Sequence, residues 1–153
     1  FYLILFTLCI YLFSISDNYN SNFIIFSIIS ICAATDIGGY AFGKLIGGKK
    51  LTKISPNKTY AGVAGSFILS LFAGLIFLKV TEDEFFNSFT FDFLIFVLII
   101  SLISQIGDLI ISYFKRKAKV KDTGKFLPGH GGFLDRVDGL IFVIPMIYLY
   151  TII

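Results

Sequence analysis

Long apolar stretches alternate with short polar segments along this chain. Apolar windows lie at Phe1–Ile15, Asn22–Gly47, Tyr60–Val80, Phe91–Phe114 and Val137–Ile153. A helix crosses the hydrocarbon core of a bilayer with about 20 apolar residues, which is close to the length of most of these windows. The windows are too uniformly apolar for the alternating strands of a membrane β-barrel. The pattern therefore predicts an all-α fold, a polytopic transmembrane bundle of about five helices.

Composition agrees with a protein that lies within a membrane. Hydrophobic residues make up 56% of the chain, whereas soluble domains contain about 45–50%. The first residue is Phe and falls inside an apolar window, so we expect the chain to be the C-terminal part of a longer protein. No internal repeat divides the chain, and residues 1–153 are predicted to form a single membrane-embedded domain.

Positive charge is concentrated in two segments. All but one of the 13 Lys and Arg residues lie in Lys44–Lys58 or Lys115–Arg136, and Lys79 is the exception. Five alternating helices would place both segments on one side of the membrane, which the positive-inside rule predicts to be the cytoplasmic side. We therefore expect an integral protein of the bacterial inner membrane, with a basic cytoplasmic face that attracts a polyphosphate substrate. The same charge could instead serve only to fix topology.

Asp36 lies in the middle of the second apolar window, where an ionised carboxylate is costly unless it faces a cavity or a partner. The nearby Gly39 and Gly43 form a G-x-x-x-G spacing that is typical of close helix packing. Considered together with Asp36, Tyr40 and Lys44, the same glycines favour a helix that lines a polar cavity. The sequence leaves both interpretations of the glycines open.

Asp108, Ser112 and Lys115 are spaced i, i+4 and i+7, so they lie on one face near the basic end of the fourth predicted helix. On this face the Asp108 carboxylate could hold a metal ion, the Ser112 hydroxyl could assist it, and Lys115 could reach a phosphate. The alternative is a stabilising pair between Asp108 and Lys115, which a separation of two helical turns makes geometrically poor.

Asp135 and Asp138 are spaced i and i+3, so their carboxylates lie on the same side if a helix begins near Leu134. Mg²⁺ prefers such hard oxygen ligands, together with water and substrate phosphates. Arg136 between them could contact a phosphate through two hydrogen bonds. The two acids could instead cap the start of a helix.

Two polar loops carry further anion-binding chemistry. His130 lies within Pro128–Gly132, where glycines allow a backbone nest whose N–H groups could bind an anion. The segment Lys49–Thr59 combines lysines, hydroxyl groups and a turn immediately before the third window. It could bind a triphosphate, or it could act only as a topological signal.

Three blocks of residues match the pattern of a known family. The longest block is Ser112, Lys115, Arg116, Lys121, Asp122, Gly124, Leu127–Gly132, Asp135, Arg136 and Asp138. The other blocks are Asp36, Gly39, Tyr40, Gly43 and Lys44, and then Ser55, Pro56, Lys58, Thr59 and Gly62. In these residues and their spacing the chain resembles the phosphatidate cytidylyltransferases, also called CDP-diacylglycerol synthases. It departs from them at Asn57, Ala61 and Gly139, where Lys, Glu and Ser are usual.

The resemblance implies a magnesium-dependent nucleotidyltransferase of phospholipid biosynthesis, which transfers CMP from CTP to phosphatidic acid and releases pyrophosphate. It implies that the domain is catalytic, with Asp108, Lys115, Asp135 and Asp138 as catalytic residues, and with Asp108, Asp135 and Asp138 as metal ligands. The substrate-binding residues that it implies are Asp36, Ser55, Lys58, Thr59, Ser112, Arg116, Lys121, Asp122, His130, Gly131, Gly132 and Arg136. A second cation is compatible with this chemistry. CTP, phosphatidic acid and the bilayer are the expected partners, a homodimer is compatible with the many apolar faces, and no nucleic acid is expected.

Two other functions are compatible with parts of the sequence. A CTP-dependent lipid-alcohol kinase would use a similar cavity but would transfer the terminal phosphate and release CDP. An ion-coupled transporter would explain the intramembrane acids Asp36 and Asp108, together with the glycine-interrupted helices. It would not explain the loop chemistry, so the nucleotidyltransferase is the function that we expect.

Overall fold

The described part of the chain is a bundle of helices. The computed structural model describes residues 2–15, 20–52, 55, 57–80, 90–120 and 137–152. Its helices are α1 (Tyr2–Ile15), α2 (Asn20–Leu45), α3 (Tyr60–Val80), α4 (Thr90–Lys117) and α5 (Leu140–Ile152). Each helix corresponds to one predicted apolar window, and no strand occurs among the described residues. The prediction of an all-α bundle of about five helices is therefore confirmed.

Two helix boundaries differ from the predicted windows by three residues, and the other boundaries differ by at most two. α4 continues to Lys117 rather than ending at Phe114, and the basic side chains of its last turn are favourable at the negative end of the helix dipole. α5 begins only at Leu140, because Asp138 and Gly139 adopt a turn. Both differences occur where polar residues decide the end of an apolar helix.

Three helical segments of the described chain are long and apolar enough to cross a membrane: Ile24–Leu45, Tyr60–Lys79 and Phe91–Lys117. α1 and α5 contain the shorter apolar segments Leu3–Leu12 and Leu140–Leu149. Between 28% and 33% of the apolar window of each long helix is buried. The outer faces therefore present Ile, Leu and Phe side chains to lipid, as expected for an integral membrane protein.

α2 packs closely against α3 through facing glycines. A Cβ atom added at Gly38 would lie 2.5 Å from the carbonyl oxygen of Gly65, and one added at Gly62 would lie 2.7 Å from that of Gly39. Backbones that approach this closely leave no room for a side chain. The packing interpretation of the glycines is therefore confirmed, and Gly39 and Gly62 also line a polar cavity.

The apolar core occupies the half of the bundle that lies away from the basic ends of α2 and α4. Ile28 and Ile31 of α2, Val97 and Ile100 of α4, and Ile144 of α5 are almost fully buried there. The side chains of α2 and α4 that line the polar cavity, among them Asp36 and Asp108, lie in the other halves of these helices. The apolar core and the polar cavity thus lie at different positions along the axes of α2 and α4.

Candidate active site

The loop between α2 and α3 is shaped by two glycines and a helix cap. Gly47 and Gly48 have positive φ angles of 65° and 96° at the end of α2, a conformation that glycine adopts without a steric penalty. Lys50 pairs with Thr59 in an isolated antiparallel bridge, which brings the two ends of the loop together. Thr59 Oγ1 accepts a 3.1 Å hydrogen bond from the Gly62 N–H and so caps the start of α3.

A cavity of about 390 Å³ opens at the end of the bundle where this loop lies. Its walls come from α2, α3, α4, the loop and the turn before α5. Its lining includes three carboxylates, one lysine and several neutral polar groups: Asp36, Asp108, Asp138, Lys58, Thr35, Tyr40, Ser55, Asn57, Thr59, Ser66 and Gln105. The cavity therefore collects acidic, basic and hydroxyl groups that are far apart in the sequence.

Lys58 and Asp108 form an ion pair in this cavity. Lys58 Nζ contacts Asp108 Oδ2, and the Ser112 hydroxyl donates a 3.3 Å hydrogen bond to Asp108 Oδ1. The two charged side chains retain exposures of 27% and 28%, so solvent still screens their attraction. Asp108 is thus held by one group of its own helix and by one cation from the loop.

Asp138 forms a second, longer ion pair. Lys115 Nζ lies 3.9 Å from Asp138 Oδ2, while Asp138 Oδ1 accepts a 2.9 Å hydrogen bond from the Gly139 N–H. Burial and the nearby carboxylate of Asp108 raise the pKa of Asp138 above its usual range, against the opposing effects of Lys115 and the Gly139 N–H. Asp138 therefore makes a local contact beside the start of α5 and also contributes charge to the cavity.

Neutral hydrogen bonds link the cavity wall across three helices. The Ser66 hydroxyl donates a 2.7 Å hydrogen bond to the carbonyl oxygen of Thr35, whose own hydroxyl donates a 3.1 Å bond to Ser101 Oγ. Gln105 Nε2 donates a 3.3 Å bond to the same Ser101 oxygen. Thr35 and Ser101 are fully buried. The side chain of Gln105, which lines the cavity, is therefore oriented by a hydrogen bond to a buried residue.

Sequence analysis did not identify Thr35, Ser66 and Gln105 as site residues. Each is a polar residue inside a strongly apolar window, and this contrast is the signal that could have identified them. Thr35 also immediately precedes Asp36, and Gln105 lies three residues before Asp108.

The remaining predicted site residues fall into three groups. Ser55 and Thr59 line the cavity. Arg116 is exposed and is not among the described residues that line it. Lys121, Asp122, His130, Gly131, Gly132, Asp135 and Arg136 lie outside the described residues.

The cavity offers oxygen donors of the kind that Mg²⁺ prefers. Asp108 and Asp138 both contribute carboxylates to it, and these are hard ligands suited to this cation. Within the described ranges, no group of three or more His, Cys, Asp or Glu side chains could hold a metal ion. The predicted third ligand, Asp135, lies outside those ranges. The donor chemistry therefore fits Mg²⁺, and the complete set of ligands stays a prediction.

Comparison with known proteins identifies the family of this chain. The model of the Cytidylyltransferase family matches residues 1–153. The chain belongs to this cytidylyltransferase family. Its resemblance to the family in the three sequence blocks is therefore confirmed.

Several curated relatives of this cytidylyltransferase-family chain carry the name phosphatidate cytidylyltransferase. The one from Staphylococcus saprophyticus is 45% identical over 119 residues, which cover 77% of this chain and 45% of the relative. The one from Staphylococcus aureus (strain COL) is 46% identical over 119 residues, with the same coverage of 77% and 45%. The one from Bacillus subtilis is 41% identical over 133 residues, which cover 86% of this chain and 48% of the relative. The chain thus spans about half the length of these relatives.

Proposed function

We propose that the protein is a phosphatidate cytidylyltransferase, which converts CTP and phosphatidic acid to CDP-diacylglycerol and pyrophosphate. The observation that carries this proposal is the cavity in which three carboxylates and Lys58 meet beside membrane-length helices. One substrate is a lipid and the other is a polyanion, so a polar site bounded by apolar helices suits both. The family match and the names of the relatives support the same reaction.

In the proposed reaction a phosphate oxygen of phosphatidic acid attacks the α-phosphorus of CTP. A new oxygen–phosphorus bond forms, and the bond from the α-phosphorus to the oxygen that bridges to the β-phosphate breaks. Pyrophosphate leaves with that oxygen and its electron pair. The attacking oxygen is already ionised at neutral pH, so a strong general base is not needed. Catalysis then depends on positioning two anions and on neutralising the charge of the transition state.

Cations and hydroxyl groups of this chain would provide that positioning. Lys58 and Lys115 lie next to the cavity carboxylates and would bind phosphate oxygens of the two substrates. Ser55 and Thr59 line the cavity from the loop and would donate hydrogen bonds to the nucleotide. Ser112 orients Asp108 through its hydrogen bond.

Asp108 and Asp138 would hold Mg²⁺, together with Asp135 from outside the described residues. Bound Mg²⁺ would add positive charge next to the reacting phosphates. Asp108 and Asp138 repel each other in a partly buried site, and a divalent cation would remove that repulsion. A second cation is compatible with the same donors.

The proposed setting is the bacterial inner membrane, with the cavity toward the cytoplasm. The α2–α3 loop and the last turn of α4 are both basic and lie at the cavity end of the bundle, so the positive-inside rule supports this orientation. A homodimer formed through the apolar outer faces is part of the same proposal.

The test follows radioactive phosphate from CTP into chloroform-soluble lipid. Purified protein is incubated with Mg²⁺, phosphatidic acid and CTP that is labelled with ³²P on either the α- or the γ-phosphate. The expected result is that the α-label enters lipid and the γ-label is released in pyrophosphate. When phosphatidic acid is omitted, no label should enter lipid. Transfer of γ-label to a lipid alcohol would identify the kinase instead. Absence of labelled lipid in both arms would contradict the transferase.

A further inference from the structure

Two of the carboxylates that would bind a metal ion, Asp108 and Asp138, are already paired with lysines. Lys58 contacts Asp108, and Lys115 Nζ lies 3.9 Å from Asp138. Together with Asp36, the described residues of the cluster include three acidic and two basic side chains, which leaves these five with a formal surplus of one negative charge when all are ionised. A free divalent cation therefore meets little uncompensated negative charge at this site.

The Lys58–Asp108 pair has features that allow it to exchange partners. Lys58 belongs to the α2–α3 loop rather than to a membrane-spanning helix. More than a quarter of each side chain is exposed, at 27% and 28%, so water can replace either partner as the pair separates. Asp108 also keeps the 3.3 Å hydrogen bond from Ser112, which would maintain its orientation when Lys58 leaves.

A nucleoside triphosphate would offer Lys58 an alternative anionic partner to Asp108. Its phosphate oxygens carry more negative charge than one carboxylate, and a lysine ammonium binds such oxygens well. Ser55 and Thr59 lie on the same loop and line the same cavity. Phosphates bound to this loop would therefore lie within reach of Lys58.

We propose that Lys58 makes cation binding at Asp108 depend on the nucleotide. This inference rests on the proposed function. In the nucleotide-free protein, Lys58 competes with a divalent cation for the Asp108 carboxylate. In the presence of nucleotide, Lys58 contacts phosphate and Asp108 becomes available to the cation. Lys58 thus couples the two binding events, and the cation enters together with the nucleotide rather than before it.

The test measures binding of Mn²⁺ alone, by the loss of its free spin-resonance signal, to the purified protein in detergent micelles. Lys58→Gln removes the competing charge, so it should bind Mn²⁺ about tenfold more tightly than the wild type, the change expected for one lost charge interaction. Lys58→Arg keeps the charge and should bind Mn²⁺ as weakly as the wild type. Lys117→Gln removes an exposed lysine from the same end of α4 and should leave the affinity unchanged.

The second arm adds a non-hydrolysable CTP analogue with a methylene bridge between the α- and β-phosphates. In the wild type the analogue should tighten Mn²⁺ binding on the order of tenfold, after the signal lost to the analogue alone in a protein-free titration is subtracted, and Mn²⁺ should tighten analogue binding by the same factor. In Lys58→Gln this mutual effect should be smaller. If Lys58→Gln does not fold, a wild type whose Mn²⁺ affinity does not respond to the analogue still overturns the inference.

Two results would overturn the inference. One is a folded Lys58→Gln variant that binds free Mn²⁺ no more tightly than the wild type. The other is a wild type whose Mn²⁺ affinity does not respond to the analogue. If the label-transfer assay succeeds while either result is found, only the coupling role of Lys58 fails. If label transfer itself fails, the proposed reaction fails, whatever the Mn²⁺ measurements give.

Discussion

Lys58 of the α2–α3 loop and Asp108 of α4 form an ion pair, although all of α3 and about the first two-thirds of α4 lie between them in sequence. The contact is possible because α3 packs against both α2 and α4, which brings the loop to the basic end of α4. The same pair lines the cavity. The charge arrangement of the cavity therefore depends on how the helices pack, because this packing brings Lys58 to Asp108.

Asp108→Asn should abolish most of the transferase activity. The substitution removes a carboxylate that neutralises Lys58 and would bind the cation, so we expect a loss of at least about a hundredfold, as for other groups that stabilise transition-state charge. Label transfer from α-³²P-CTP to lipid measures it. Asp92→Asn is the matched control, because Asp92 is exposed in the first turn of the same helix. A folded Asp108→Asn protein with nearly wild-type activity would contradict the assignment.

Gly38→Ala should destabilise the bundle. The added Cβ would lie 2.5 Å from the backbone carbonyl oxygen of Gly65, so α2 and α3 must separate, at a cost of about 1–3 kcal/mol. The buried thiols of Cys9 and Cys32 provide the measurement, since a thiol-reactive fluorescent dye reports their exposure during heating. Ala33→Val adds bulk at an exposed position of α2 and should leave the unfolding temperature nearly unchanged. Equal behaviour of the two variants would refute close packing at Gly38.

Thr59→Ala should destabilise the start of α3 and the loop before it. The substitution removes the oxygen that accepts the Gly62 N–H, and loss of such a cap lowers the free energy of unfolding by about 0.5–2 kcal/mol. Thr59→Ser retains the oxygen and should remain close to the wild type in the same dye assay. If Thr59→Ser were as unstable as Thr59→Ala, the methyl group rather than the cap would be responsible.

Ser101→Ala should affect catalysis although Ser101 does not line the cavity. Its oxygen accepts hydrogen bonds from Thr35 and Gln105. Thr35 keeps its 2.9 Å hydrogen bond to the Ile31 carbonyl, whereas the partly buried amide of Gln105 loses the bond to Ser101, at about 1 kcal/mol. Because Gln105 then loses its anchor, we expect KM or kcat to change by about fivefold, the factor that corresponds to roughly 1 kcal/mol.

Ser70→Ala is the control for this substitution. Ser70 is fully buried, and its 2.9 Å hydrogen bond to the Phe67 carbonyl stays within α3. Its removal should leave both kinetic constants unchanged. Steady-state kinetics with CTP and phosphatidic acid varied in turn would show the difference. Identical kinetics for the two alanine variants would exclude a positioning role for the network.

Local patterns in the sequence predicted the helices and one face of the site. Apolar length alone identified the five windows, because an apolar segment of about 20 residues satisfies its backbone hydrogen bonds only as a helix in lipid. The spacing of Asp108 and Ser112 predicted a shared helical face, and their hydrogen bond agrees with it. The boundary of α5 was less predictable, since the turn at Asp138 and Gly139 depends on a polar contact rather than on hydropathy.

The partners of the charged residues could not be predicted in the same way. The sequence offered a pair between Asp108 and Lys115 only as a geometrically poor alternative and named no other partner for Asp108. The structure brings Lys58 to Asp108 and Lys115 to Asp138. Nor did the sequence indicate that Thr35 and Ser101 would join across two helices. Such contacts depend on how far each helix is rotated and shifted against its neighbours.

The sequence by itself determined the class of fold, the basic end of the bundle and the family pattern that led to the proposed chemistry. These properties depend on residues that are close together in the chain, where helical periodicity and hydropathy operate. Only the tertiary structure decided which carboxylate meets which lysine, and which neutral groups line the cavity. Those contacts require atoms from distant segments to lie within a few ångströms of each other, and the packing of glycine faces and apolar side chains brings the segments together.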